Sequence, residues 1–480
     1  MLDHLGRDLD SAAIIALGDD GLRTWSRRDF GRMTAGAVEL LTSVGGQPGA
    51  VVPALLSTRP ASVALLLAGA LADHPLAPLA PRMTFHELHA CLTGIPGEVL
   101  LCEPAWVDLA GQLGEATGKR VVVIDEPPVS DHALPPRRNP SATAFVMHTS
   151  GTTGLPKQVV VRERPLGRRG DVNGLLLDLH PNDRLVTAAL FHHVGALGNI
   201  AVALANGAAL VMMPTFSVEA WRALEPVAPT HAVLVPSVIE MLLDAKALSL
   251  PSLTVIGYGG SPIHPDTMRT IQEVIPGAAF VNLFGQTEGS PVSVLDAADH
   301  RRAAAGEVEL LSSVGRAAPE TEIRIHEPDA DGIGEVWARG GHSFVVDENG
   351  WQHTGDLGRL EGEYLYLVGR RGDKIIRGGE NVFPLEVEQV LESHASVREA
   401  VVVGVPDRRL GETITAYVVP ASGATIDPEE LRAYAREQLA GFKVPTTWEV
   451  IEAMPRNPSG KVIRRELAER AAEEAAARTS

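Results

Sequence analysis

Cysteine, lysine and aromatic residues are all scarce in this chain of 480 residues. The two cysteines, Cys91 and Cys102, have no metal-ligand spacing and no further sulfur to pair with. That excludes a disulfide framework or a thiolate metal site, and it fits ordinary buried thiols in a reducing cytoplasm. Long apolar runs are missing as well. The stretch Ala61 to Ala72 stops at Asp73, too short to span a bilayer, and the N-terminus lacks the charged start and apolar core of an export signal. Positive charge is in deficit, the formal net charge being −18. This argues against nucleic acid or a membrane as partner, since both attract a basic face. The length accommodates roughly two to four domains, with cores large enough to need no staples. Lysine stands only at Lys119, Lys157, Lys246, Lys374, Lys443 and Lys461. Where arginine carries nearly all the basic charge, a retained lysine marks a place where a compact ammonium matters.

Against this background one stretch stands out. Thr149, Ser150, Gly151, Thr152, Thr153 and Gly154 run through Leu-Pro to Lys157, directly after the apolar strand-like run Ala144 to Met147. Hydroxyls, glycine-freed backbone amides and a terminal ammonium are the donors that phosphate oxygens need. The spacing is not that of a Walker loop, which places four residues between its glycines and follows its lysine with a hydroxyl residue opening a helix. A plain Ser/Thr/Gly turn has the same composition. Four further segments decide between the two: Asn282-Leu-Phe-Gly-Gln-Thr-Glu288, His353-Thr-Gly-Asp356, Gly369-Arg-Arg-Gly-Asp-Lys-Ile-Ile-Arg-Gly-Gly-Glu-Asn381 and Asn457-Pro-Ser-Gly-Lys461.

In identity, order and spacing these five blocks resemble the signatures of the adenylate-forming superfamily of acyl- and aryl-CoA synthetases, stand-alone adenylation domains and beetle luciferases. The resemblance runs from about Phe145 to Leu467; residues 1–140 carry no signature. It implies ATP-dependent activation of a carboxylic acid as an adenylate, followed by thioester formation with CoA. Transfer to a carrier-protein thiol or to an amine is the alternative. A silent nucleotide- or acyl-binding protein is a rival of another class, and intact Lys461, Glu288 and Asp356 argue against it.

Such chemistry must neutralise the triphosphate and hold the acid in line. The loop Thr149 to Lys157 would bind the β- and γ-phosphates. Glu288 is a hard oxygen ligand suited to Mg²⁺, with Thr287 beside it near the α-phosphate. Asp356 is suited to accept from the ribose hydroxyls, with Arg370 reaching the same ribose; a turn cap is the plainer role of such an Asp. The turn Gly259, Gly260, Ser261 would face adenine and the acid, Phe284 would stack on adenine, and Asn282 and Gly285 complete that nucleotide block. Lys461 is the expected catalytic residue, an ammonium neutralising charge that grows between carboxylate and α-phosphate.

The acid pocket falls in Leu190-Phe-His-His-Val-Gly195. Amino-acid-activating relatives usually place an Asp there; here His192 and His193 stand instead, and the resemblance gives His192 a gating role beside the carboxylate. Gly378 and Gly379 would lie along the pantetheine arm of CoA. The chain departs from the family pattern at three places. The hinge position is Gly372, the segment from Gly340 to Trp351 is short, and Arg162-Glu163 replace a histidine often found after the first loop.

Short β-branched runs, Arg120 to Ile124, His231 to Val235, Leu253 to Gly257 and Ala279 to Asn282, alternate with helical stretches such as Ser237 to Leu248 and His264 to Val274. The pattern predicts an α/β fold, with a large N-terminal domain of mainly parallel sheets flanked by helices over residues 1–371. A small mobile C-terminal α/β domain over residues 372–480 would carry the catalytic lysine. Its expected elements are helices from Pro384 and Pro428, strands Ala400 to Val405 and Thr413 to Val419, and an Ala/Glu-rich tail read as a solvated helix end.

Overall fold

The computed structural model describes residues 6–136, 139, 141–149, 157–261, 263, 265–457 and 462–479. Ser150, Gly151, Thr152, Thr153 and Gly154, expected to bind phosphate, and the expected catalytic Lys461 lie outside the described residues.

Two large sheets form the first part of the chain. The six-stranded sheet runs in the order Arg120–Val123, Val99–Cys102, Val52–Leu55, Leu76–Leu79, Thr143–Thr149, Lys157–Arg162. All of its pairings are parallel except the last, a hairpin in which Thr149 stands opposite Lys157. At the centre of the nine-stranded sheet, Ala279–Gln286, Val255–Tyr258, His231–Leu234, Arg184–Thr187, Ala209–Met212 and Ala12–Gly18 lie parallel to their neighbours. Antiparallel strands close both of its edges. Runs such as Val-Leu-Leu-Cys and Ala-Leu-Val-Met are buried along their whole length, as strands covered on both faces must be.

The apolar run from Ala61 forms the core helix Pro60–Leu71, buried on all sides. Among the described residues no helix is long and apolar enough to cross a membrane. Cys91 and Cys102 are both free and buried, and burial pushes the Cys91 thiol up to about 11.

An antiparallel four-stranded sheet follows, Thr321–His326 through Tyr364–Arg370. Between Arg370 and Ile375 the chain passes into a separate five-stranded sheet that holds the remaining strands. The expected elements appear there as helices Pro384–Glu392 and Pro428–Gln438 and strands Val397–Asp407 and Gly411–Pro420. The tail is a correction. Helix Arg464–Thr479 is no solvated end, because Leu467 and Ala471 are buried beside Val401, Val403 and Tyr417, and the Tyr417 hydroxyl donates to the Leu467 carbonyl at 3.1 Å. Its buried alanine lets the helix approach the sheet closely, Arg464 turns inward to pair with Glu388, and Arg465, Glu466, Glu469 and Arg470 are exposed.

Candidate active site

Parallel strands bring their carboxyl ends to one edge of a sheet, and loops leaving that edge form the crevice in open α/β folds. In the six-stranded sheet that edge carries Thr58 and Thr149. In the nine-stranded sheet it carries the loop 188–193, Gly259 to Ser261, and the turn at Thr287 and Glu288. One hydrogen bond ties the two edges together, the Phe191 amide donating to Thr58 Oγ1 at 3.0 Å. Gln286 then anchors the last turn to the four-stranded sheet, its side-chain amide donating to the Thr354 carbonyl at 3.0 Å. Asp356 and Arg370 are therefore delivered to the same side.

Thr149 ends its strand and Lys157 begins the antiparallel return strand opposite it, so these two ends of the stretch expected to bind phosphate stand side by side. His148, just before Thr149, has both ring nitrogens buried without a hydrogen-bond partner, and burial lowers its pKa to about 4. Nothing in the sequence pattern singled out this residue.

His193 holds the N-cap position of helix Val194–Asn206 without a side-chain cap hydrogen bond, and His192 lies against it with ring centroids 4.3 Å apart. Burial, then the neighbouring His193 and Arg82, depress the His192 pKa to about 3, so the ring is neutral at physiological pH. Its Nε2 is buried without a hydrogen-bond partner. Among the described residues the charged groups acting on His192 are His193 and Arg82.

Gly259 is needed for a close approach: a Cβ there would stand 2.4 Å from the Leu283 carbonyl oxygen. Gly260 has φ +89° and, with Ser261, is exposed. Between Gly257 and Gly259, Tyr258 turns into the core and its hydroxyl meets His300 Nε2 at 2.8 Å. Asn282 is also buried and bonds the same hydroxyl. Phe284, Gly285, Thr287 and Glu288 are half-buried along the crevice. The Glu288 carbonyl accepts from the amide of Phe344 at 2.7 Å, so the short segment after Gly340 clasps this turn.

Asp356 is 8% exposed and accepts from Arg370 Nε at 2.9 Å; the two stand opposite each other across paired strands. Beyond Arg370, the amide of Asp373 donates to its carbonyl, leaving Gly372 in a turn with open space around its Cα. Gly378 and Gly379 take left-handed φ values of +63° and +91°, and the Gly378 amide donates to the Leu410 carbonyl at 2.7 Å. Lys443 is engaged within the small sheet by Glu386 at 2.6 Å. No cluster of three or more metal-binding side chains occurs among the described residues, so a divalent ion here would be held by Glu288 together with nucleotide oxygens.

Fold and loops define an ATP-dependent, acid-activating enzyme. Comparison with known proteins agrees. Residues 4–345 match the AMP-binding enzyme family and residues 386–461 match the AMP-binding enzyme C-terminal domain. An indoleacetate–CoA ligase of Aromatoleum aromaticum is 32% identical, covering 96% of both chains. A feruloyl-CoA synthase of an Amycolatopsis species is 31% identical over 92% of this chain and 93% of its own. Among solved structures, the amide bond synthetase McbA of Marinactinospora thermotolerans superposes with a TM-score of 0.86 at 27% identity, covering 98% of this chain and 99% of that one. The chain therefore belongs to the AMP-binding enzyme family. It is an acid–thiol ligase of the AMP-forming acyl- and aryl-CoA synthetase class.

Proposed function

We propose that the enzyme condenses a carboxylic acid lacking an α-amino group with the α-phosphate of ATP, releases pyrophosphate, and passes the acyl or aryl group to CoA. The observation that carries this reading is the convergence of the Thr149–Lys157 strand pair, the Glu288 turn and the Asp356–Arg370 pair around His192, a neutral ring whose acting charges among the described residues are His193 and Arg82. An α-ammonium group buried there would lack a counter-charge, which costs several kcal/mol.

In this scheme Thr149 to Lys157 bind the β- and γ-phosphates, Glu288 holds Mg²⁺, and Asp356 and Arg370 hold the ribose. Mg²⁺ would screen phosphate charge; Lys461 would neutralise the charge that develops between carboxylate and α-phosphorus. A boundary near residue 371 and a pivot at Gly372 would let the domain of residues 372–480 exchange the Lys461 loop for Gly378 and Gly379 after adenylation. The structural similarity to an amide bond synthetase makes an amine the second acceptor to test, and a carrier-protein thiol the third. Carboxylate-dependent exchange of labelled pyrophosphate into ATP over aliphatic, aromatic and amino acids tests the first step. The same panel with CoA, an amine and a carrier protein identifies the acceptor. Exchange supported best by standard amino acids contradicts the proposal.

A further inference from the structure

Helix Glu163–Leu176 packs along helix Val194–Asn206, the helix that follows His193. Its inward face carries Leu166, Val172 and Asn173, and among them Arg169, which is 7% exposed. Nε and Nη1 of Arg169 are buried without a hydrogen-bond partner, and among the described residues this guanidinium forms no ion pair. It lies against the backbone of Gly198, where a Cβ would stand 2.7 Å from Nη2 and 2.9 Å from Cζ. Glycine at 198 is thus what makes room for the guanidinium.

His342 feels the charge of Arg169, and among the described residues its Nδ1 is buried without a hydrogen-bond partner. The Nε2 of His342 is taken by the Pro291 carbonyl at 2.7 Å. Two residues later the Phe344 amide clasps the Glu288 turn. The guanidinium therefore packs on the helix that follows His193, and its charge reaches the segment after Gly340 that clasps the Glu288 turn.

A guanidinium cannot escape burial by deprotonating, and burial lowers the Arg169 pKa only to about 10. An unpaired buried cation is among the least favourable arrangements in a folded chain, whereas an apolar residue of similar volume would fill the same space without that cost. The charge is explained if its partner arrives with the substrate. We propose that Arg169 is a specificity-determining residue and that the acid substrate carries a second anionic group, distal to the carboxylate that is activated, which completes a charge-assisted pair with this guanidinium. The distance follows from the helix. Gly198 lies four residues into the helix that opens at Val194, a rise of about 6 Å, so a diacid with a spacer of several carbons reaches from the histidine pair to Arg169 and one with a single-carbon spacer falls short.

This inference rests on the ligase reading above. The test compares adipate, hexanoate and the ω-sulfonate of hexanoate in pyrophosphate exchange, using the wild type, Arg169→Met, Arg169→Lys and Gly198→Ala. The wild type should prefer the dianionic acids, with the sulfonate arm distinguishing charge from carboxylate geometry. Arg169→Met should lower kcat/KM for adipate by about 10²-fold and invert the preference toward hexanoate. Arg169→Lys should restore part of the preference, and Gly198→Ala, which pushes the guanidinium aside, should weaken it. The melting temperature of Arg169→Met should equal or exceed that of the wild type.

A wild type that prefers hexanoate overturns the proposal, as does an Arg169→Met enzyme that loses both acids equally. Calorimetric binding of adipate to the wild type and to Arg169→Met separates this inference from the ligase reading. If no acid supports exchange, binding that is lost in the variant still upholds the role of Arg169, and equal binding overturns it.

Discussion

Replacing Asp356 by Asn tests the ribose assignment with little disturbance of the fold. The carboxylate is nearly buried, but its partner Arg370 has a side chain 61% exposed, so their ion pair contributes no more than about 1 kcal/mol to stability. Asn keeps the volume and one acceptor for Arg370 Nε, and the melting temperature should barely move. The effect on ATP is larger. A hydrogen bond from a ribose hydroxyl to a carboxylate is worth about 1.5–3 kcal/mol, so kcat/KM for ATP should fall on the order of 10- to 150-fold. Pyrophosphate exchange with ATP and with its 2′- and 3′-deoxy forms reads the contact directly. The wild type should discriminate against the deoxy nucleotides, and Asp356→Asn should discriminate much less, because the two losses report one interaction. A variant that still penalises deoxy-ATP as strongly as the wild type would refute the reasoning. Asp356 would then be the strand residue and turn cap that its plainer reading describes.

Three further outcomes follow. Lys461→Ala should slow adenylation on the order of 10²–10⁴-fold while largely sparing thioester formation from a synthetic adenylate; equal loss in single-turnover assays of both steps would assign the residue to general binding. At Gly372 no atom lies within 4 Å of where a Cβ would stand, and Gly372→Pro, by fixing φ there, should preserve one half-reaction and depress the other. Rapid-quench rates for both steps that match the wild type would place the pivot elsewhere. Glu392 carries a pKa raised to about 8, first by burial and then by Glu388, Glu399 and Glu240, against the hydrogen bond from the Ala400 amide. A carboxyl raised in the folded state lends its full stability below its unfolded pKa near 4.5 and loses it as pH rises through about 8. Partial exposure limits the loss to roughly 2 kcal/mol. Glu392→Gln should flatten that fall in urea unfolding between about pH 5 and pH 8.5; an unchanged slope contradicts it.

Elements with strong local signals were legible before the structure. The β-branched runs at residues 120, 231 and 279 became strands, and the prolines at 384 and 428 opened helices, because those cues act within a few residues. The proximity of Asp356 to Arg370 was foreshadowed by the shared ribose role that the family resemblance implies for them, whereas the pairing of Thr149 with Lys157 fits the plainer reading of two strands joined by a turn. What escaped depends on contacts distant in sequence. Tyr258 and Asn282 sit in a nucleotide motif, yet their side chains meet each other inside the core, because His300 supplies a partner 42 residues away from Tyr258. The tail helix read as solvated because alanine gives little periodic signal, although two of its residues reach the sheet. Arg169 did leave a trace: it lies three residues after Leu166 and three before Val172, on the apolar face of its helix. Only the fold reveals that this residue is a buried cation lying against Gly198 and acting on His342.

The measurement that bears most directly on the central claim follows an oxygen atom. With a substrate acid labelled with ¹⁸O in its carboxylate, attack on the α-phosphorus followed by transfer of the acyl group leaves one labelled oxygen in AMP, with pyrophosphate unlabelled. Mass spectrometry of the products should find that label in AMP, formed only when acid is present. Label in inorganic phosphate alongside ADP would mean attack at the γ-phosphorus and would contradict adenylate formation.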